Sequence, residues 1–375
     1  MIRFKPMQMT KWTGLLLLCL YCCAANGQVV GGQYAFEYLR LSNAPHVSAL
    51  GGISVANPDD DIAFALQNPS LMRPALHNEL ELNYNGYYAG ISVMNLQYGY
   101  HVPKINTSFA LGVQYLNYGT FTHTDDLGNI YGNFSANDYA LTLAASRSYE
   151  GNWRYGADIK WAHSTLYTST ASAVLSDVGI NYYDTSTLWD FGVVAKNMGV
   201  MLKEYTPNNY EPLPFDLQMG VTKQFKHLPL RLIATVHHLY QWDIKYNNPA
   251  DNITSNILGT ADTNANATKG YFFDKLFRHF IFGAELTLAK RLALTVAYND
   301  LERTELAIQT HTGLAGFSFG VNLYLNKFQV HYARNYYHIA GPYNEIGITM
   351  ALNKLFGAGR SEDHLHWSAV YPDWQ

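Results

Sequence analysis

The sequence predicts an all-β protein, a transmembrane antiparallel β-barrel of about 14 strands preceded by an N-terminal hatch segment. Three observations predict it. Apolar residues alternate with small or polar residues over most of the chain, and the links between these segments are alternately short and long. Charged residues make up only 14% of the 375 residues, against roughly 25% in a typical soluble domain. Something other than charge must therefore cover the surface.

Residues 1–27 have the pattern of a secretory signal peptide. Three basic residues precede an apolar stretch that ends at Cys23, and the small residues Ala25 and Gly27 suit signal cleavage. Gln28 is then the predicted mature N-terminus.

All three cysteines lie inside this signal segment, so the mature chain is expected to contain no disulfide, thiol nucleophile or cysteine metal ligand. A lipoprotein signal is the alternative, and it needs a small residue directly before the modified cysteine. Leu18 precedes Cys19 and Tyr21 precedes Cys22, so the ordinary signal peptide is favoured.

Residues 28–77 form a separate segment that does not alternate cleanly. We predict that it plugs the barrel lumen as a hatch and contains short helices such as Ile62 to Gln67. Asn68 and Pro69 are its candidate hatch motif. The run Asp59 to Asp61 lacks the residue spacing of a calcium loop, so we expect a turn with exposed carboxylates there.

Residues 78–356 are predicted to form the barrel, because alternation with period 2 dominates there. In one strand every second residue from Trp153 to Trp161 is apolar, whereas the residues between them include Arg154, Asp158 and Lys160. Such a strand spans roughly 26 Å, close to the ~25 Å apolar band of outer-membrane barrels. A soluble β-sandwich shares this alternation, so one strand alone does not decide between the two folds.

The lengths of the links favour the barrel, because outer-membrane barrels have short periplasmic turns on one rim and longer loops on the other. Short and longer links alternate along the chain, except that the first hairpin turn, Ala89 to Gly90, is short on the outer side. This parity places both termini, including a C-terminal tail at residues 357–375, in the periplasm. A soluble sandwich has no reason to sort its loops in this way. The short links are Pro103 to Ile105, Glu150 to Gly151, Asp184 to Ser186, Lys226 to Leu228, Ala289 to Arg291 and Asn326; the longer ones are Gly119 to Ala136, Thr165 to Ser169, Met198 to Pro214, Asp243 to Arg278, Leu301 to His311 and Tyr336 to Asn344.

No catalytic or cofactor-binding site is predicted, and the chain is not expected to be an enzyme. Gly316 to Gly320 match the G-x-S-x-G nucleophile elbow, with Ser318 in the position of the nucleophile, but that motif needs a strand followed by a helix. Here Val321 to Leu325 continue the alternation of a strand. The S-x-x-K and H-E-x-x-H motifs do not occur in the sequence.

No metal site is predicted either. His237 and His238 are adjacent, and we expect them to point to opposite faces of a strand. Asp363, His364 and His366 could bind a metal, but a solvated tail explains them more simply. The net charge of −4 removes the electrostatic argument for binding nucleic acid.

Several N-terminal stretches resemble the PorQ family, outer-membrane barrels of the type IX secretion system of Bacteroidetes. The resemblance is carried by Val30 to Leu41, Ala49 to Gly52, Asp59 to Asp61 and Ala65 to Leu71. More broadly, Asn68-Pro69-Ser70 is similar to the Asn-Pro-Ala of the hatch in the long-chain fatty acid transporter family, whose barrels have fourteen strands. Ser70 replaces the alanine of that motif.

The PorQ resemblance implies an integral component of a cell-surface attachment complex. Its partners there would be a PorZ-like surface protein, a PorV-like barrel and a PorU-like sortase, together with outer-membrane lipid and lipopolysaccharide. That complex joins secreted cargo to anionic lipopolysaccharide, so the chain would serve as a membrane anchor for a soluble surface partner. The family supplies no catalytic residue that could be transferred to this sequence.

The candidate contact for that partner is the longest predicted outer loop, Asp243 to Arg278, because aromatic side chains are typical interface anchors. This loop contains Tyr246, Tyr271, Phe272 and Phe273.

The rival function is passive uptake of a hydrophobic solute through the barrel, with the hatch as gate. Such transport needs an apolar path through the lumen or a lateral opening. The inward residues that the alternation predicts are instead polar: Arg154, Asp158, Lys160 and Glu285. An inert anchor that binds no ligand also fits the sequence.

Overall fold

The computed structural model describes residue 32 and residues 34–245, 272–289, 291–305, 313–338 and 341–356. The described strands form one closed barrel of 14 antiparallel strands, in which each strand pairs with its neighbours in sequence and the first pairs with the last. This confirms the predicted fold class. The strands are β1 (Glu79–Gly86), β2 (Ser92–Val102), β3 (Thr107–Thr124), β4 (Ile130–Tyr149), β5 (Trp153–Leu166), β6 (Ser169–Asp184), β7 (Trp189–Lys203), β8 (Asp216–Gln224), β9 (Leu230–Val236), β10 (Phe280–Leu288), β11 (Leu292–Asn299), β12 (Phe317–Tyr324), β13 (Phe328–His338) and β14 (Gly341–Ala351).

The helices of the described residues are all short. The α-helices are α1 (Pro45–Ala49), α2 (Phe272–Phe277), α3 (Asp300–Glu305) and α4 (Leu352–Phe356). The 3₁₀ helices are Glu37–Arg40, Ile62–Leu66, Pro69–Leu71, Pro74–Leu76, Tyr88–Gly90 and Pro103–Ile105.

Within the described part of the chain, no helix combines the length and the apolar character that crossing a membrane requires.

The barrel wall is apolar outside and polar inside. On β5, Ile159 is 56% exposed, whereas Arg154 and Lys160 on the other face are 2% and 6% exposed. A soluble sandwich would place the charges outside and the apolar side chains inside, so this distribution rules out that alternative. An outward apolar face and a polar interior are the features of an integral outer-membrane barrel.

The two rims of the barrel differ in part as the link lengths predict. One rim, the short-turn rim, carries the six turns β2–β3, β4–β5, β6–β7, β8–β9, β10–β11 and β12–β13. The other, the long-loop rim, carries the remaining links, of which the longest joins β9 to β10. The β7–β8, β9–β10 and β11–β12 links are longer than every turn of the short-turn rim. The longer links predicted at Thr165 to Ser169 and Tyr336 to Asn344 were wrong, because β5 runs to Leu166 and β6 begins at Ser169, and β13 runs to His338 and β14 begins at Gly341.

Part of the long-loop rim is built of strands where the sequence predicts loops. The link predicted from Gly119 to Ala136 is mostly the ends of β3 and β4, and the link predicted from Met198 begins with the end of β7. The prediction was wrong there because most side chains at these strand ends are exposed on both faces, so the alternation fades although the backbone pairing continues.

These strand ends form what we call the rim extension: residues 118–136, 164–172 and 197–203. The last residue of β3 that pairs with β2 is Asn117, and the last residue of β7 that pairs with β8 is Lys196. The extension therefore projects beyond its neighbouring strands. β4 has 20 residues and β3 has 18, whereas β9 has 7.

The hatch segment, residues 34–77 of the described chain, packs against the inward face of the wall. Glycines of the wall provide the space. A Cβ atom at Gly156 of β5 would lie 2.5 Å from the Pro69 carbonyl carbon, and one at Gly283 of β10 would lie 3.2 Å from Leu50. The small residues that the sequence places on the inward face are thus the positions where the hatch backbone and side chains approach the strands.

Candidate functional site

The candidate hatch motif forms a tight turn that fits against the wall. The buried Asn68 side chain accepts hydrogen bonds from the Ser70 amide at 3.1 Å and the Ser70 hydroxyl at 2.6 Å, and its Nδ2 donates to the Val55 carbonyl at 2.9 Å. Pro69 starts the following 3₁₀ turn. A side chain at Gly179 of β6 would overlap the Asn68 amide. In this structure the motif shapes the hatch and its contact with β5 and β6.

Buried ion pairs join the hatch to β9 and β10. His46 of α1 donates from Nδ1 to Asp61 at 2.7 Å and from Nε2 to Glu285 at 2.8 Å. Arg231 of β9 lies 2.9 Å from Asp59 and 3.2 Å from Glu285. The prediction of exposed carboxylates at Asp59 to Asp61 was therefore wrong: the three are buried, because His46 and Arg73 of the hatch and Arg231 of β9 pair with them.

His46 carries a positive charge in this cluster. Burial alone lowers its pKa, but the hydrogen bonds to Asp61 and Glu285 outweigh that effect and raise the pKa to about 10. The charged imidazole donates from both nitrogens, which matches two carboxylate acceptors. The His46 ring also stacks on the His331 ring, with centroids 5.8 Å apart.

The same atoms were considered as a metal centre. Donor atoms of His46, Asp61 and His331 lie within 4.8 Å of one another, as do those of His46, Asp59 and Glu285. Both nitrogens of His46 are already hydrogen-bonded, and the Arg231 cation lies against Asp59 and Glu285. The donor set fits an ion-pair network between hatch and wall better than a site for an added cation.

A second group of charges lines β5 and β6. Lys160 lies 2.5 Å from Asp177 and 4.0 Å from Asp158, and all three side chains are buried on the inward face. The inward orientation predicted for Arg154, Asp158, Lys160 and Glu285 is confirmed by their burial. The lumen near the hatch is therefore polar.

A cavity of about 310 Å³ lies at the long-loop rim, between the hatch and the strand ends; we call it the rim cavity. Described residues that line it come from the hatch (Arg40, Ser42, Gly51), from strand ends (Asp216, Gln218, Asn299, Asn335) and from the links (Tyr87, His237, His238, Tyr240). Its walls combine tyrosine rings with side-chain amides and charges of both signs.

His237 and His238 meet in this cavity, which corrects the expectation that they point apart. β9 ends at Val236, and His238 has a φ of 55°, so the chain turns and the two rings approach. Their Nδ1 atoms are 2.6 Å apart. Alternation of faces applies only inside a strand, and nothing in the local sequence marks Val236 as its end.

The two histidines are neutral and their tautomers are fixed. Burial first, and then the Arg40 charge, lower the pKa of His238 to about 3, and burial with the nearby His238 lowers the pKa of His237 to about 3. Arg40 can only donate, so His238 Nε2, 3.0 Å from Arg40 Nη1, accepts. His238 Nδ1 then donates to His237 Nδ1, and His237 carries its hydrogen on Nε2.

The structure describes half of the predicted partner contact. Tyr246 and Tyr271 lie outside the described residues. Phe272 and Phe273 belong to α2 and are 61% and 67% exposed, with the Phe272 ring 5.1 Å from the Trp242 ring. The two phenylalanines remain candidates for binding a partner.

The rim extension presents further exposed apolar residues that the sequence analysis did not single out. Leu127 and Tyr131 at the β3–β4 hairpin are 87% and 68% exposed. Behind the hairpin tip, the Phe134 ring stacks on the Phe121 ring at 5.3 Å and meets the Tyr167 ring edge to face at 4.9 Å. The sequence signal that could have identified them is the high proportion of aromatic residues in the link that alternation alone predicts as a loop.

Ser318 lies inside β12, paired with Ala297 and Asn335, and its side chain is buried. The strand continues to Tyr324, so the strand-to-helix turn of a nucleophile elbow is absent from this described stretch. The candidate ligands Asp363, His364 and His366, like the signal segment, lie outside the described residues.

No family model and no curated protein sequence matches this chain. Among solved structures it is similar to the TodX deltaS2S3 mutant monoaromatic hydrocarbon channel, with 11% identity, a TM-score of 0.46 and coverage of 82% of this chain and 97% of that one. It is also similar to the Ralstonia pickettii toluene transporter TbuX (13% identity, TM-score 0.43, coverage 86% and 98%) and to a Pseudomonas aeruginosa FadL homologue (10%, 0.42, coverage 78% and 94%). Likenesses of this strength do not bear on what the chain binds.

Proposed function

We propose that this chain is an integral outer-membrane component of a type IX secretion attachment complex. In this proposal both termini are periplasmic, the long-loop rim faces the cell exterior, and the barrel anchors a soluble PorZ-like surface protein. A PorV-like barrel and a PorU-like sortase complete the complex, which attaches secreted cargo to anionic lipopolysaccharide. The N-terminal resemblance at Val30 to Leu41 and Ala65 to Leu71 supplies this identity.

The rim extension is the observation that carries the anchor role. A strand of 20 residues such as β4 spans roughly 65 Å, or roughly 50 Å along the barrel axis at the usual tilt, against an apolar band of ~25 Å. A part of roughly 20 Å therefore stands clear of the lipid. Its tip exposes Leu127, Ile130 and Tyr131 where no lipid covers them, as an interface for a protein partner would.

The fixed hatch supports an anchor over a gated channel. A hatch that moves must break the buried pairs His46–Glu285 and Arg231–Asp59. Breaking one buried pair costs about 3–5 kcal/mol. Buried charges such as Lys160, Asp177 and Glu285 also line the lumen and disfavour the passage of a hydrocarbon.

The second candidate function is passive uptake of a hydrophobic solute, and the rim cavity beside the hatch is the observation that favours it. A solute that enters there would need the hatch to move before it could go further. The amides and charges that line the rim cavity favour a polar ligand over a hydrophobic one, so we place this function second.

The test is to purify the tagged protein from native outer membranes in mild detergent and to quantify co-eluting proteins and lipids by mass spectrometry. The variant carries Leu127→Ser with Tyr131→Ser in the rim extension. The matched control is Leu228→Ser, an exposed leucine on the short-turn rim. A Phe272→Ser, Phe273→Ser variant tests the predicted loop contact separately.

We expect the wild-type protein to recover a sortase, a sister barrel and a large soluble surface protein. The rim variant should lower recovery of the soluble protein about tenfold, as loss of interface anchors does, while Leu228→Ser leaves it unchanged. A lone barrel with a stoichiometric hydrophobic molecule would overturn the proposal and support uptake. Loss of the partner in the Phe272 and Phe273 variant alone would move the contact to α2.

A further inference from the structure

Arg334 of β13 is an exposed cation on the outward face of the wall. Its strand neighbours Ala333 and Asn335 are both buried on the inward face. The Arg334 guanidinium lies over the Tyr336 ring, 5.5 Å from its centroid, and donates from Nε to the Tyr336 hydroxyl at 3.2 Å and from Nη1 to Asn344 Oδ1 at 3.3 Å. Both of these acceptors are neutral, and no carboxylate of the described residues pairs with Arg334. The guanidinium therefore presents an unpaired positive charge and further N–H donors to the outside.

Arg334 belongs to a row of outward residues, the polar row, that crosses five neighbouring strands. Paired in register along β13, β14, β1, β2 and β3, the row consists of Arg334, Asn344, Gly86, Ser92 and Asn117. The parallel row two residues nearer the short-turn rim consists of Tyr332, Ile346, Tyr84, Met94 and Tyr115, each more than a third exposed.

The change from one row to the next marks the edge of the lipid-facing surface. Outer-membrane barrels have an outward apolar band flanked by aromatic residues, and tyrosine rings prefer the membrane–water interface. Three tyrosines in the lower row and polar or small residues in the upper row match that boundary. Arg334 therefore lies at the level of the lipid headgroups, where an outward charge costs only about 0–1 kcal/mol.

An apolar groove of about 590 Å³ lies on the outward face, on the short-turn side of the polar row. It crosses the seam between β1 and β14 and extends onto β2, β3 and β13. Its volume is within the range of ligand sites, roughly 300–1,000 Å³. Tyr84, Met94 and Ile346 line the end next to the polar row, and Leu82, Val113 and Ile348 lie further along it.

The groove continues the lipid-facing wall, so an acyl chain of the bilayer is the occupant that its position favours. Such a chain gains no hydrophobic free energy by leaving its neighbours, because lipid tails are as apolar as leucine. Selectivity for one lipid must therefore come from the polar end of the site. A guanidinium forms charge-assisted, often paired, hydrogen bonds with phosphate oxygens, and Arg334 is the cation placed at that end.

We propose that the outward face of β13, β14, β1 and β2 binds one phosphorylated lipid of the outer leaflet, with its phosphate at Arg334 and an acyl chain in the groove. In the orientation of the proposed function the long-loop rim faces the exterior. The lipid of that leaflet is lipopolysaccharide, whose lipid A bears both phosphate and acyl chains. The site rests on that orientation but not on the attachment complex.

The experiment measures binding of three defined lipids to the delipidated mature protein by native mass spectrometry: diphosphoryl lipid A, its dephosphorylated form and phosphatidylglycerol. Arg334→Gln removes the charge. Its matched control is Arg147→Gln, because Arg147 is also an exposed arginine but lies at the short-turn end of β4. Val113→Trp fills the groove, and Leu111→Trp is its control on the same strand outside the groove. Heat-dependent gel mobility verifies that every variant is folded.

We expect one lipid A molecule per barrel, bound about tenfold more tightly than its dephosphorylated form. Arg334→Gln should remove that preference, whereas Arg147→Gln should leave it within about twofold. Val113→Trp should weaken both forms of lipid A, because it acts on the acyl chain, and Leu111→Trp should weaken neither.

The proposal is overturned if lipid A and its dephosphorylated form bind equally, or if Arg334→Gln and Arg147→Gln behave alike. Phosphatidylglycerol that binds as tightly as lipid A would overturn the assignment to lipopolysaccharide. A barrel dimer that Arg334→Gln dissociates would overturn the lipid site and assign this face to a protein contact. Because the test uses an isolated barrel and defined lipids, its failure leaves the attachment-complex proposal standing, and loss of that proposal leaves the lipid site standing.

Discussion

The salt-bridge cluster that holds the hatch can be tested with two substitutions of the same kind. Glu285→Gln removes a charge from β10 without changing the side-chain volume, and leaves the cations His46 and Arg231 with one carboxylate fewer. The control is Glu345→Gln on β14, because Glu345 also contacts α1, through the Ser48 hydroxyl at 2.7 Å. Glu345 accepts hydrogen bonds from that hydroxyl and from the Asn85 amide, both of which are neutral.

The two changes should differ in size. Removing one partner of a buried ion pair costs about 3–5 kcal/mol, whereas a neutral hydrogen bond contributes about 0.5–1.5 kcal/mol. If the hatch opens locally, Glu285→Gln should speed hydrogen exchange at the α1 amides by roughly 10²- to 10⁴-fold. Glu345→Gln should speed it by at most about tenfold.

The assay is hydrogen exchange with mass spectrometry of the detergent-purified protein. It follows the peptide that contains the Ser48 and Leu50 amides, which donate within the hatch to the Ala44 and Val47 carbonyls at 3.0 Å each. Peptides from β11 and β12 report on whether the barrel itself stays intact. Equal acceleration by Glu285→Gln and Glu345→Gln, with an intact barrel, would refute the conclusion that charge pairing holds the hatch.

Three further predictions follow from the same structure. His46 has a pKa of about 10 in the folded hatch against 6.5 for a free histidine, so its stabilising effect is complete below pH 6.5 and is lost as the pH rises toward 10. Protection of the α1 amides against hydrogen exchange, corrected for intrinsic exchange, should fall between these two pH values. Protection that does not change with pH would contradict the positive charge assigned to His46. Gly179→Ala forces a methyl group into Asn68 and should destabilise hatch packing by about 1–3 kcal/mol. Gly86→Ala should have little effect, because a methyl group there would lie 3.9 Å from the Tyr84 ring; hydrogen exchange of the Asn68 turn compares the two variants. Ser318→Ala should leave any ester hydrolysis by the purified protein unchanged, and loss of such activity in a folded variant would revive the hydrolase interpretation.

The barrel was predictable because a lipid-facing wall imposes period 2 on every strand and because the two rims differ in loop length. Trp153 to Trp161 shows both faces of a strand in nine letters of sequence. Where the membrane no longer imposes an inside and an outside, the pattern disappears, and the ends of β3, β4 and β7 were predicted as loops. Backbone hydrogen bonds hold those residues in the strands, and the alternation of side chains gives no information about such bonds.

The contents of the lumen were less predictable, because they depend on contacts between residues far apart in sequence. Asp59 to Asp61 read as a solvated turn until Arg231 and His46 are placed beside them. In the same way His237 and His238 read as opposite faces of a strand, because the end of β9 at Val236 leaves no local mark. Pairing across 172 residues, as between Asp59 and Arg231, is set by the closure of the barrel.

The contacts between the hatch and the wall affect which part of the barrel can bind a partner. The hatch contacts the wall through buried ion pairs, through close approaches to glycine, and through apolar clusters such as the one that joins Leu50 and Phe64 to Ile233 of β9. All of these contacts are lost when the two surfaces separate, at a cost in free energy. Moving the hatch out of the barrel therefore requires a large free energy, whereas the long-loop rim is exposed without any movement of the hatch. The partner contact proposed above for the rim extension uses the exposed Leu127 and Tyr131 and would leave the hatch ion pairs intact. Binding a partner at this rim, as proposed above, would not require the hatch contacts to break and so would not lower the stability of the barrel.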